Sequence, residues 1–281
     1  MKRVRALEAT DALAGKVILV TGGAQGMGLE VARAAALGGA KGLVICDRNA
    51  SRKSQVEGEI GALGAECLFV ACDVARPEEI RHVVEQADAK FGRIDGLVNC
   101  VGDTRRGTLE TTDVGLWDTL MNVNLRAHFL FTQAVSRVMK RERTRGSIVN
   151  ICSVQSRGGL TFCMAYATAK AGLVCLTRNN ATELGPYGIK VNAVNMGWTV
   201  TDNEDVLQRA ESGENWVKQA DKTSLLGRIA RPSDIAHAVV FLLDDRTHTT
   251  GSVMDMHTEY VPGMLGGGIG KASDVDASND E

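Results

Sequence analysis

The 281-residue sequence predicts an α/β fold in one domain: a doubly wound parallel sheet of about seven strands, with helices on both faces. Two observations predict it. Short apolar runs alternate with helical patterns about six times, and no linker or shift in composition divides residues 16–258. Strand, helix, strand in repetition gives a parallel sheet with right-handed crossovers. Runs that are apolar throughout, rather than alternating, suit strands covered on both faces.

The strand-like runs are residues 17–20, 43–46, 68–71, 96–98, 148–151, 191–194 and 253–256. Helix signals lie between them. Ile80, Val83, Val84 and Ala87 form an i, i+3, i+4, i+7 stripe, with Pro77 at a first helical position and Glu78 and Glu79 in the first turn. Pro232, with Asp234 behind it, opens another helix toward Val239 and Val240. Three segments break the rhythm. Residues 1–14 read as a loose leader ahead of a domain spanning 15–262. Residues 199–230 are polar where the alternation predicts a single helix, and are expected to form a substrate lid. From Gly263 a glycine cluster gives way to Asp274, Asp276, Asp280 and Glu281, the pattern of a flexible tail.

Composition narrows the function. Apolar residues make up 44% and charged residues 23%, which suits a packed core. The formal net charge of −2 gives no reason to expect a nucleic-acid or anionic-membrane partner. No apolar run reaches the roughly 18 residues of a membrane span. Seven cysteines cannot all pair internally, and neither CxxC nor HExxH occurs, so no metal is expected. Cys46, Cys72, Cys100 and Cys152 sit in or beside strand-like runs and read as small apolar fillers. A reducing cytosol is the expected location.

After the first strand comes Thr21-Gly22-Gly23-Ala24-Gln25-Gly26-Met27-Gly28, and then a helical stretch. Glycines there permit a tight turn and close approach to a pyrophosphate, while the helix offers unpaired N–H groups to that anion. The Gly-x3-Gly-x-Gly spacing differs from the general GxGxxG fingerprint. Asp47 ends the second strand, close to the roughly 20 residues past the loop expected of a ribose-binding acid. A carboxylate there accepts from ribose hydroxyls and repels a 2′-phosphate, so the sequence predicts NAD. Arg48 argues the other way, since it could pair with that phosphate; the loop itself, with Ala24 and Gln25, carries no cation.

Tyr166 and Lys170 stand four residues apart on a predicted helix and so share a face. A nearby ammonium favours phenolate and is expected to lower the tyrosine pKa from its usual ~10 toward working range. Ser153 follows the fifth strand directly and Asn99 ends the fourth, at the strand ends that face the ligand crevice of such sheets.

With these residues in place, the sequence resembles the short-chain dehydrogenase/reductase family over about residues 14–258, and its sheet is expected to be Rossmann-type. The family's TGxxxGxG loop is met at Thr21, Gly22, Gly26 and Gly28, with Gln25 and Met27 between, and its Asp-Val pair at Asp73-Val74. Its Asn-Asn-Ala-Gly segment reads Asn99-Cys100-Val101-Gly102, and its Pro-Gly turn reads Met196-Gly197. The lost proline implies a more flexible turn. The resemblance implies a catalytic tetrad of Asn124, Ser153, Tyr166 and Lys170, with Lys170 also holding the nicotinamide ribose. It further implies cofactor contacts at Gly197, Thr199 and Thr201, and a homo-oligomer, most plausibly a tetramer.

The implied activity is NAD-dependent hydride transfer on a small secondary alcohol or ketone. Acids in the insertion (Glu204, Asp205, Glu211 and Glu214) lean toward a polyol or sugar. Alternatives are a 3-oxoacyl-thioester reductase and a non-catalytic nucleotide-binding scaffold. Gln155 is a candidate substrate contact. Trp216 either covers a substrate or anchors a lid helix. His128 reads as a core or surface histidine, and Arg105 and Arg106 as a solvated pair that could meet an anionic substrate.

Overall fold

A computed structural model describes residues 8–257 and places all seven strands in one parallel sheet, in the order β3-β2-β1-β4-β5-β6-β7. The strands are β1 (Val17–Thr21), β2 (Gly42–Asp47), β3 (Glu66–Ala71), β4 (Gly96–Asn99), β5 (Ser147–Ser153), β6 (Lys190–Met196) and β7 (Val253–Met256). Each coincides with an apolar run. The reason is visible in β1: Ile18 and Val20 pack into the core beneath one helical layer, while Val17 and Leu19 pack into the other.

The first layer contains α1 (Gly26–Leu37), α2 (Lys53–Ala62) and α9 (Pro232–Leu243). The second contains α3 (Pro77–Phe91), α5 (Ala127–Arg141) and α6 (Met164–Leu184). The four stripe residues of α3 are its buried residues, Pro77 is its first residue, and Gly92 ends it at φ 68°. At the head of α9, the Asp234 carboxylate accepts from the Arg231 N–H at 2.8 Å. A short α4 (Val114–Met121) runs into α5 through a π-helical segment, Asn122–Arg126. Such segments commonly mark functional sites. No helix among the described residues is long and apolar enough to cross a membrane.

Two expectations need correction. The loose leader does not extend to residue 14: Thr10 and Leu13 donate to the carbonyls of Leu37 and Gly38, each at 2.8 Å, and Leu13 is 0% exposed. One buried leucine beside Ala12 is too short a signal to register as periodicity. Residues 1–7 and the expected tail from 263 lie outside the described residues. The insertion holds two helices rather than one, α7 (Asp202–Ser212) and α8 (Trp216–Thr223). A parallel bridge between Thr199 and Ala230 closes its base.

Because Leu13 is fully enclosed, Leu13→Ala will destabilise the fold by about 2–4 kcal/mol. Urea unfolding measures this, and a loss below ~0.5 kcal/mol would show that the segment is not part of the core.

Candidate active site

Strand order reverses between β1 and β4, and the crevice above such a switch point is the usual ligand site of an open α/β sheet. A cleft of about 770 Å³ lies there, over the C-terminal ends of the strands. Gly22, Gln25, Gly26, Met27, Gly28, Asp47, Arg48, Asp73, Val74, Gly102, Gly197, Thr199 and Thr201 all line it, as do Ser153, Gln155, Tyr166 and Lys170.

The glycine loop is built for close approach. Gly26 turns the chain at φ +53° into α1, and a Cβ on Gly28 would stand 2.2 Å from the Gly22 carbonyl oxygen. The unpaired N–H groups of the first turn of α1 therefore border the cleft. Asp47 is held at the end of β2, its Oδ2 accepting from the Ala24 N–H at 3.2 Å and its Oδ1 from the Asn49 N–H at 2.9 Å. The loop does carry a cation after all. Arg52, just ahead of α2, donates through Nη1 to the Ala24 carbonyl at 3.2 Å and to the Gln25 Oε1 at 3.4 Å.

Two residues expected at the cofactor are instead internal. Thr21 is fully buried, and its Oγ accepts the N–H groups of Cys100 and Val101. Asn99 is also fully buried, and its Nδ2 donates to the Asn150 Oδ1 at 2.9 Å. Parallel-strand ends alternate their side chains, so a residue can end a strand and still point into the core.

Ser153 ends β5, and its hydroxyl bonds to the Tyr166 phenol. Tyr166 and Lys170 share a face of α6, with the Lys170 Nζ 5.8 Å from the phenol ring centroid. That ammonium is 3% exposed and donates to the Ile151 carbonyl at 2.8 Å. Burial pushes the Tyr166 phenol up to about 12, and the Ser153 hydrogen bond offsets only part of this. Burial likewise lowers the Lys170 ammonium. The expected depression of Tyr166 is therefore not the state of this site: burial of the phenol outweighs what lowers it. Asn124 lies in the π-helical segment, fully buried, where its side chain donates to the carbonyls of Asp103 and Leu120 and accepts from the Asp103 N–H. His128 is a core residue, held well below the usual histidine range by burial and then by Lys170.

The remaining wall was hidden in the sequence. Leu160, Phe162, Trp198 and Leu207 give it an apolar surface. Trp216 is 1% exposed and outside the cleft; its ring lies 5.6 Å from that of Trp198. It packs inside the insertion and is not placed to cover a substrate. The indoles of Trp198 and Trp216 donate to Glu204 and Asp205, adjacent residues in the first turn of α7. Thr201 caps that helix by accepting from the Glu204 N–H. Gly197, next to the Met196 that stands in place of the proline, donates to the Met256 carbonyl at 3.0 Å, which restrains the turn. Among the described residues no group of His, Cys, Asp or Glu is arranged to hold a metal ion.

A phenol raised from ~10 to about 12 holds its proton in the folded chain across a range where the unfolded chain releases it. Stability will therefore fall between about pH 10 and 12, by at most about 2–3 kcal/mol from this group. Comparing denaturant midpoints of the wild type and Tyr166→Phe across that range checks it. The difference between them must change, with the phenylalanine variant spared the loss.

The chain matches the family model described as enoyl-(acyl carrier protein) reductase over residues 22–257. It is 37% identical over 230 residues to the short-chain reductase protein NovJ of Streptomyces niveus, covering 80% of this chain and 86% of the relative. It is 35% identical over 253 residues to a 3-alpha-(or 20-beta)-hydroxysteroid dehydrogenase of Mycobacterium bovis, covering 90% and 92%. Among solved structures, a short chain dehydrogenase from Mycobacterium smegmatis superposes with a TM-score of 0.78 at 29% identity, covering 92% of this chain and 99% of that one. Motifs, sheet order, crevice and relatives agree: the chain belongs to the short-chain dehydrogenase/reductase family of oxidoreductases.

Proposed function

We propose that the protein transfers hydride between NAD(H) and a secondary alcohol or its ketone. The observation that carries this reading is the continuity of one cleft from the glycine loop and Asp47 to Ser153, Tyr166 and Lys170. The glycine cradle, which a single Cβ at Gly28 would fill, suits a pyrophosphate. Asp47 would accept from the adenosine ribose hydroxyls, and Lys170 would hold the nicotinamide ribose. When bound, NAD supplies the hydride acceptor.

The chain's own part is proton handling and alignment. Ser153 Oγ orients the substrate oxygen beside the Tyr166 phenol. Tyr166 Oη holds the proton that is given to a ketone oxygen, or takes it from an alcohol. Lys170 places a positive charge under the cleft, and so favours phenolate whenever the tyrosine proton leaves. Asn124 fixes the π-helical turn against Asp103, where it would position a water for proton exchange with Lys170.

The substrate body is apolar rather than a polyol. The acids that leaned toward a sugar are already paired within the chain, Glu204 and Glu211 at the cleft itself. Glu204 accepts from Trp198 and Gln208, Asp205 from Trp216 and Arg209, and Glu211 from Arg106, while Glu214 pairs with Arg209. Leu160, Phe162, Trp198 and Leu207 are left to meet the substrate, in keeping with the hydroxysteroid dehydrogenase among the relatives. Gln155, whose buried Oε1 has no partner among the described residues, is a polar group placed to orient it. Phe241, exposed on α9, is consistent with assembly into a homotetramer.

Tyr166→Phe will keep NAD binding and lose all but about a thousandth of kcat, a loss of about 4 kcal/mol in the barrier. Retention of a tenth or more would show that another group moves the proton. Wild type will prefer NAD over NADP, because the Asp47 carboxylate opposes a 2′-phosphate. Asp47→Ser will move the ratio of kcat/KM values toward NADP, helped by Arg48 and Arg52. A wild-type preference for NADP would contradict the role of Asp47.

A further inference from the structure

The adjacent arginines that follow Gly102 have separate fates. Arg105 forks onto Asp103, two residues before it, at 2.7–3.1 Å and is thereby spoken for. Arg106 turns the other way and lines the cleft. Its guanidinium lies 5.1 Å from the centroid of the Phe162 ring, and its Nη1 donates to the Glu211 Oε2 at 2.7 Å.

What holds each partner differs. The backbone beside Arg106 is pinned: Gly107 donates to the Phe162 carbonyl at 2.9 Å and accepts from the Met164 N–H at 3.3 Å, in a parallel bridge with Cys163. Arg106 and the ring beneath it are therefore parts of one rim, set by two tied loops. Glu211 comes from the lid. It sits in the last turn of α7, where the negative end of the helix dipole disfavours a carboxylate. Both side chains are about one-third exposed, and an ion pair at that exposure is weak. A guanidinium on a tied backbone thus carries an exposed carboxylate from another element, through a pair that is weakly held.

The other cations of the cleft are placed elsewhere. Arg48 follows Asp47 at the ribose end, and Lys170 is on the floor beneath Tyr166. Arg106 alone among the cations that line the cleft stands beside the apolar wall of Phe162.

We infer that Arg106 is a specificity-determining residue that receives a carboxylate carried by the substrate, and that Glu211 occupies the place of that carboxylate until it arrives. The substrate class is then an apolar hydroxy acid or keto acid. This deepens the hydride-transfer reading and rests on it. A guanidinium is the side chain best suited to the task, since its planar fork matches a carboxylate and its face stacks on an aromatic ring.

The test uses the full chain loaded with NADH, titrated calorimetrically with 4-oxocyclohexane-1-carboxylate and with its methyl ester, a pair differing chiefly in the charge. NADH consumption is read on the same samples. The wild type will bind the acid more tightly than the ester. Arg106→Gln will lower the acid-to-ester affinity ratio about tenfold. Glu211→Gln, which removes the competing carboxylate, will raise it. Equal affinities in the wild type, binding of neither compound, or an Arg106→Gln variant in which both affinities fall in step with the ratio unmoved, would overturn the assignment. The last result is what a rim with a purely structural role would give. Preference for the acid without NADH consumption would support Arg106 and count against hydride transfer.

Discussion

The Oγ of Thr21, sealed at the end of β1, accepts the N–H groups of Cys100 and Val101 at 3.1 and 3.2 Å. These two residues leave β4, the neighbour of β1 at the place where the strand order reverses. Beyond the strands there is no ladder left to hold the diverging chains, and a buried N–H without a partner is costly. One hydroxyl satisfies both. It sets the separation of the two walls of the crevice, the glycine loop on one side and the segment from Cys100 to Gly102 on the other. A Cβ on Gly22 would already stand 3.1 Å from the Val101 Cα, which shows how closely the seam is drawn. The Cys100 and Val101 departures from the family pattern leave this seam intact, because it uses their backbones rather than their side chains.

Most of the scaffold was legible in the sequence. A parallel sheet covered on both faces favours strands that are mostly apolar rather than alternating, and the seven runs show this, with Asn150, Asn192 and Asp255 as polar exceptions. The loop and the Tyr166–Lys170 pair were equally legible, because their geometry is local: a turn between strand and helix, and a four-residue helical spacing. What escaped depends on how distant segments meet. Arg52 reaches the glycine loop from just ahead of the second helix, 27 residues beyond Gln25. Asn99 and Thr21 carry the right residue types at the right strand ends, yet face inward. The acids of the insertion looked like open carboxylates because neither Trp198 nor Trp216 could be placed against them before the lid helices were known.

The ionisation of the site also depends on depth more than on sequence. Proximity alone says that a lysine one turn from a tyrosine makes the phenol more acidic. In the fold both groups are withdrawn from water, and desolvation penalises the charged form of each. Tyr166 rises and Lys170 falls. The Ile151 carbonyl is the direct compensation the chain gives the ammonium. A buried cation satisfied by a neutral dipole is costly to fold, and in the proposed reaction that cost places a positive charge where proton transfer needs it.

The indoles of Trp198 and Trp216 lie 5.6 Å apart, tilted by 32°, and grip neighbouring carboxylates on the helix that roofs the cleft. Two chromophores this close in a fixed chiral arrangement couple their transitions. The sequence has one further tryptophan, Trp117, partly exposed on α4. The near-ultraviolet circular dichroism of the folded chain therefore carries a contribution from this pair. The packing of residues 199–230 against Trp198 can be followed in solution by an optical signal native to the protein, with no label attached and no turnover required.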